Sequence, residues 1–231
     1  MFRKILSVFL FLTVGVSHVY AEPNTGITLG STRMIYNASV SQTAIGIMNS
    51  DNRAYLIQSW VSKTPESKSK EDSLFITTPP LFRLEPDSKN SVRVMYIGNL
   101  LPQDRESVFW LNVKSIPSTE KTNNNTLVIA IKSQIKLFYR PIDLPGDPSR
   151  AYKQIKFLVR NDKLVIDNPT AFSVSFNEIK INGILLQDAV MVLPFSTQTI
   201  NKNVALGQMV TWTVINDYGG ITPVETTKII K

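Results

Sequence analysis

From Gly26 onward, short runs of β-branched and aromatic residues are broken by turn residues, and no long stretch keeps a helical period. A chain with this pattern is expected to be mostly β. The expected strands are Arg33 to Tyr36, Ala44 to Met48, Tyr55 to Val61, Leu74 to Thr77, Ser91 to Ile97, Val108 to Val113 and Thr126 to Tyr139. Seven strands in about 115 residues meet the requirement of an immunoglobulin-type sandwich.

Polar stretches at Ser62 to Ser73 and Pro117 to Asn125 read as loops inside that unit. Pro141, Pro145, Gly146 and Pro148 then cluster where a short, stiff connector would lie, because proline restricts the backbone and cannot continue a sheet ladder. Strand-like runs resume at Ile155 to Val159, Leu164 to Asp167, Phe172 to Ile181, Val190 to Leu193, Met209 to Ile215 and Val224 to Ile230. The expectation is two sandwiches in series, residues 22–142 and 150–231, joined by a linker at 143–149 with a cleft between them.

The opening residues have a different character. Arg3 and Lys4 precede an apolar run from Ile5 to Val16, and Val19 and Ala21 fit a small-residue cleavage pattern. Residues 1–21 therefore read as a signal peptide, because the run is far short of the roughly 20 residues of a spanning helix. Cleavage after Ala21 would start the mature chain at Glu22 and lower the formal charge from +7 to +5.

Export narrows the chemistry. There is no cysteine, so both cores must hold by packing and hydrogen bonds, and thiolate chemistry is excluded. The one histidine, His18, leaves with the signal peptide, which removes Ser-His-Asp triads and histidine metal sites. Asp104 and Glu106 form the only carboxylate pair considered for catalysis, and acidic residues in a turn are usually solvated charges. No phosphate-cradling glycine loop is present, and the Lys and Arg residues are too dispersed for a nucleic-acid surface. No cofactor, metal, nucleic acid or small-molecule substrate is expected.

The run from Thr126 to Tyr139 is too long for an ordinary strand of five or six residues, so part of it should overhang its own sheet. Leu127, Ile129 and Ile131 fall on one face, and Val128 and Ala130 on the other, so both faces are apolar. Burial between two layers would give the same pattern. As the last strand before the linker, however, the run is expected at a sheet edge, and Lys132 is its first charge. An unblunted apolar edge invites pairing with another chain.

The segment LPQDRESVFWLNVKSIPS, Leu101 to Ser118, resembles the signature of PapD-like periplasmic pilus chaperones. Further stretches agree in order: S-T-R ending at Arg33, TPPLFRLEP from Thr78 to Pro86, IKLFYRP from Ile135 to Pro141, NPT from Asn168 to Thr170, and INDYGG from Ile215 to Gly220. The resemblance implies two immunoglobulin-like β-sandwich domains in a boomerang, acting on pilus subunits and adhesin. Each subunit would lack its final strand, receive one from the chaperone, and pass to an outer-membrane usher. The donated residues would be Leu127, Ile129 and Ile131.

The resemblance further implies that Arg33 and Lys136 anchor the subunit's C-terminal carboxylate, a sensible pairing of two charged donors with an anion. Taken singly, each would read as a solvated charge. Lys136 has opposite parity to the donated residues, so either a bulge or strong twist re-aims it or it faces the other way. Glu106, Arg140 and Asp217 match a cluster that ties the domains together. The short loop before the long strand resembles the subclass serving rod-like pili with a tip adhesin. Self-capping of the free chaperone as a homo-oligomer stays open. The alternatives are a pilus subunit or adhesin, which should be a single incomplete domain, and an enzyme using Asp104 and Glu106.

Overall fold

The computed structural model describes residues 26–66, 74–98, 101–119, 127–187 and 190–231. The expected signal peptide, Thr126 and parts of both polar loops lie outside these residues.

Among the described residues the first unit has nine strands: β1 (Ile27–Leu29), β2 (Arg33–Asn37), β3 (Thr43–Asn49), β4 (Tyr55–Ser62), β5 (Phe75–Thr78), β6 (Leu81–Leu84), β7 (Lys89–Tyr96), β8 (Ser107–Pro117) and β9 (Ile131–Arg140). They form two sheets, ordered β1-β3-β7-β5 and β2-β9-β8-β4-β6. Alternation decides which side chains turn inward: in β3, Ile45 and Ile47 are buried while Ala44, Gly46 and Met48 are exposed. Ile45, Ile47, Val92 and Val94 from one sheet pack with Ile57, Leu111, Val113 and Leu137 from the other as a single core. Phe75 and Tyr139 add edge-on aromatic contact across it.

A 3-10 turn (Ala151–Gln154) opens the second unit, and among the described residues eight strands follow: β10 (Lys156–Arg160), β11 (Lys163–Asn168), β12 (Val174–Ile181), β13 (Ile184–Leu185), β14 (Met191–Val192), β15 (Ser196–Asn203), β16 (Met209–Val214) and β17 (Glu225–Lys228). One sheet runs β10-β11-β15 and the other β13-β12-β16-β17, with β14 also on β12. Phe157, Leu164, Ile166, Phe176, Trp212 and Ile229 belong to a second, separate core. The chain is thus nearly all β and folds as two immunoglobulin-like sandwiches, as its sequence pattern predicts.

Four strands escaped the sequence pattern. Strands β1 and β13 have three and two residues, too few for a period to show. Strand β6 follows Pro79 and Pro80 and lies at a sheet edge, where one side of its backbone is free of the ladder. Strand β15 reads STQTINKN, with only Ile200 buried, and occupies the edge beside β11. A polar edge strand resists unwanted pairing, and the same polarity hides it from a search for apolar alternation.

The long strand differs from expectation in two ways. Pairing covers Ile131–Arg140, and residues 127–130 make no ladder, so Leu127 to Ala130 project beyond the sheet. Nor is β9 an edge along its whole length: β2 lies beside it in parallel from Lys136 to Arg140. Among the described residues, only Ile131 to Ile135 have β8 on one side and no strand on the other.

Candidate functional site

Strand β9 sorts its side chains by parity. Ile135, Leu137 and Tyr139 point into the first core, whereas Phe138 and Arg140 line the cleft toward the second unit. The ladder with β8 runs from Ser107 opposite Tyr139 to Ser115 opposite Ile131 without a register shift. No bulge re-aims Lys136: it faces away from the core because regular alternation puts it there. Of the two alternatives left by the sequence, the opposite face is the correct one.

The same alternation carries the core face into the overhang. Ile131 shares the parity of Ile135 and Leu137 but is 62% exposed, and Ile129 and Leu127, continuing that parity, are 65% and 85% exposed. Val128 is exposed as well. A row of apolar side chains that is buried at one end of a strand emerges uncovered at the other.

Arg33 and Lys136 are direct neighbours in the parallel β2–β9 pairing. Arg33 is almost fully buried: its Nη1 donates to the Ile215 carbonyl at 2.7 Å, and its guanidinium lies 5.7 Å from the Phe138 ring centre. Its Nε is buried with no acceptor among the described residues. Lys136 Nζ donates to Ser175 Oγ at 3.3 Å and sits 5.9 Å from the Trp110 ring. Neither cation is in an ion pair with a carboxylate among the described residues. Burial holds the Arg33 guanidinium below its ordinary value, against the pull of Asp217. Burial, and secondarily the charge of Arg33, holds the Lys136 ammonium below its own. Two desolvated cations side by side would both be relieved by one anion.

Beside them, Arg140 reaches in two directions. Its Nε donates to Glu106 Oε1 at 2.7 Å, and its Nη1 and Nη2 donate to the two carboxylate oxygens of Asp217 at 2.7 and 3.0 Å. Glu106 is only 4% exposed, so the reading of it as a solvated turn carboxylate is wrong; its Oε2 also accepts the Ser173 N–H at 2.8 Å. Burial pushes the Glu106 carboxyl up, with Arg140 and the Ser173 N–H opposing. Asp104 instead pairs with Arg105 in solvent, so Asp104 and Glu106 do not act on a common point.

The three clustered residues come from both units, and other contacts reinforce the junction. The Glu106 N–H donates to the Ala171 carbonyl at 2.9 Å, and Arg140 lies over Phe172. Gly219, at φ +84°, approaches Thr32 so closely that a Cβ would lie 2.7 Å from the Thr32 hydroxyl. Arg33, Phe138, Arg140, Ser175 and Asp217 line a cleft of about 510 Å³ between the units. Sequence reasoning missed Phe138, Ser175, Ile215 and Gly219. Phe138 was detectable, since its parity matches Lys136; the Ile215 carbonyl was not, because a backbone acceptor leaves no mark in the sequence.

Two immunoglobulin-like sandwiches sharing a charge-lined cleft define a class of two-domain all-β proteins. Within it, the chain belongs to the PapD-like pilus-assembly chaperones. Residues 26–145 match "Pili and flagellar-assembly chaperone, PapD N-terminal domain" and residues 150–226 match "Pili assembly chaperone PapD, C-terminal domain". The chain is 38% identical over 226 residues to "Chaperone protein FimC" of Escherichia coli strain K12, covering 96% of this chain and 91% of that one. It is 38% identical over 228 residues to "Probable fimbrial chaperone SfmC" of the same strain, covering 97% of each. Among solved structures, the Salmonella enterica complex of SafA pilin with the SafB chaperone is similar at TM-score 0.80 and 28% identity, covering 90% of this chain and 99% of that one. The family's role is that of a chaperone, which is not an enzymatic one.

Proposed function

We propose that this protein is a periplasmic chaperone that holds pilus subunits by lending them the overhang of β9. The observation that carries the reading is the uncovered apolar row Leu127, Ile129 and Ile131, which continues the parity of the chaperone's own core and leads to the Arg33–Lys136 pair. A subunit sandwich lacking one strand would accept these side chains as the missing part of its core. Each buried side chain is worth about 1.5 to 3 kcal/mol before ordering costs.

The anchor sets the direction of pairing. The free edge of β9 stops where β2 begins, at Arg33 beside Lys136. A subunit strand laid along this edge parallel to β9 would bring its C-terminus to the two cations, whereas an antiparallel strand would bring its ammonium terminus there. Charge therefore selects the parallel arrangement, with the terminal carboxylate accepting from both donors. Glu106, Arg140 and Asp217 hold the two units at the angle this requires.

The remaining parts of the reading follow from this role. Residues 1–21 are a cleaved export signal, and the two domains span 22–142 and 150–231 around a linker at 143–149. The loaded chaperone delivers subunits and adhesin to an outer-membrane usher. When free, it can cap its overhang with a second copy. Holding and releasing a subunit needs no cofactor and no catalysed reaction, and Glu106, the one buried carboxylate considered for catalysis, is committed to Arg140 and Ser173.

Affinity purification from the periplasm of cells expressing pili should recover a pilin with the wild-type protein. An empty column under those conditions would overturn the reading.

A further inference from the structure

The outer face of the β9 sheet carries an unusual arrangement of charge. Lys132 on β9 stands directly opposite Lys114 on β8, and Lys136 follows on the same face, next to Arg33. Between them the Gln134 amide nitrogen is engaged, its Nε2 donating to Asn112 Oδ1 at 2.7 Å and to the Pro65 carbonyl at 3.0 Å. Strands β4, β8 and β9 contain no Asp or Glu at any position. Among the described residues, neither Lys114 nor Lys132 has an ion-pair or hydrogen-bond partner.

Like charges directly opposite on neighbouring strands destabilise a sheet. A lysine on an exposed edge has a ready explanation, since it deters unwanted pairing, and Lys132 alone would satisfy it. Lys114 does not, because β8 is an inner strand, flanked by β9 and β4. The two lysines together form a small cationic field, and it opens onto the part of β9 that has no strand beside it.

We propose that the Lys114–Lys132 pair reads an acidic side chain on the strand that adds to β9. This rests on the strand-addition reading and deepens it. With the terminal carboxylate at Arg33 and Lys136, the residue beside Lys132 is about four positions before the C-terminus, because both strands advance about 3.3 Å per residue. An Asp or Glu there lies on the outer face, away from the apolar row, and meets two cations. The chaperone thus checks register at two points, one on the backbone terminus and one on a side chain. A strand slipped by one residue turns its acidic group to the wrong face and loses the second contact.

The test uses the full-length mature protein and synthetic peptides of one alternating apolar sequence with a free C-terminal carboxylate. The peptides carry Glu, Gln or Lys four positions before the end. Calorimetry at low salt should give affinities in the order Glu, Gln, Lys, with about a five- to tenfold spread between the extremes that shrinks at high salt. In the double variant Lys114→Glu, Lys132→Glu the order should reverse. Equal affinity for the Glu and Lys peptides, or an order unchanged in the double variant, would overturn the inference while leaving strand addition intact. If no peptide binds, while a peptide amidated at its C-terminus also fails, the strand-addition reading falls and this inference with it.

Discussion

Ile131 and Leu137 stand on the same face of the same strand, yet one is 62% exposed and the other fully buried. The difference lies in the neighbours. From Lys136 onward β9 has β8 on one side and β2 on the other, and the opposing sheet covers its core face. Before that point β2 is missing, and before Ile131 the ladder itself stops. The sequence does not become more polar to match: Leu127, Val128, Ile129 and Ile131 are as apolar as the buried half. An apolar row left uncovered by its own fold, and ending at two cations without a carboxylate, is the half of the strand that we propose serves another chain.

The sharpest way to break this comparison is to disturb the half that serves the protein itself. Arg140→Ala strands the buried Glu106 and the half-buried Asp217 without their shared cation. It should destabilise the protein by about 3 to 5 kcal/mol, more than Glu106→Ala, because an uncompensated buried charge is left behind. Denaturant melts of both variants give the order, and the reverse order would mean that the three residues do not act as one network.

Ile129→Asp probes the other half and should do the opposite. The side chain is 65% exposed in the free chain, so its melting temperature should stay close to wild type while subunit recovery is lost. Ile129→Val removes one methylene and should cost the complex only about 0.5 to 1.5 kcal/mol. Melts run beside a subunit pull-down separate the two cases. Collapse of the free Ile129→Asp protein would place this residue in the protein's own core.

At the junction of the halves, Lys136→Met should split the two effects. Removing a charged donor should weaken subunit binding by about 1.5 to 3 kcal/mol. The free protein should not lose stability. Burial and Arg33 lower the pKa of Lys136, so the folded state binds fewer protons than the unfolded state in the interval below the ordinary lysine value. Through that interval wild-type stability therefore rises with pH, and Lys136→Met should flatten the rise. Stability measured against alkaline pH for the two proteins checks this directly, and an unchanged slope would remove Lys136 as its source.

Much of this was legible in the sequence, because the apolar alternation in β3, β7, β8 and β9 is strong and the motif around Leu101 to Ser118 is specific. Alternation finds strands whose two faces differ in burial, so it missed the polar edge strand β15 and the two-residue β13. It predicted the overhang from length alone but placed the strand wholly at an edge, since parity says nothing about which neighbour lies alongside. The motif match grouped Glu106 with Arg140 and Asp217, yet it missed the second domain's Ser173 N–H on the other carboxylate oxygen, a contact that composition cannot carry. Direction was the easier part of the Lys136 question: regular alternation was the simpler alternative, and β9 follows it.

Amide hydrogen exchange along residues 127–140, measured on dilute free protein and again with a bound subunit, tests the division of β9 most directly. Residues 127–130 make no ladder in the free chain, so their amides should exchange at nearly unprotected rates, while those of Lys136–Arg140 stay protected between β2 and β8. Binding a subunit should slow exchange by orders of magnitude in the first stretch and leave the second unchanged. Protection of residues 127–130 in the free monomer, or no gain on binding, would contradict the claim that this strand is held open for a partner.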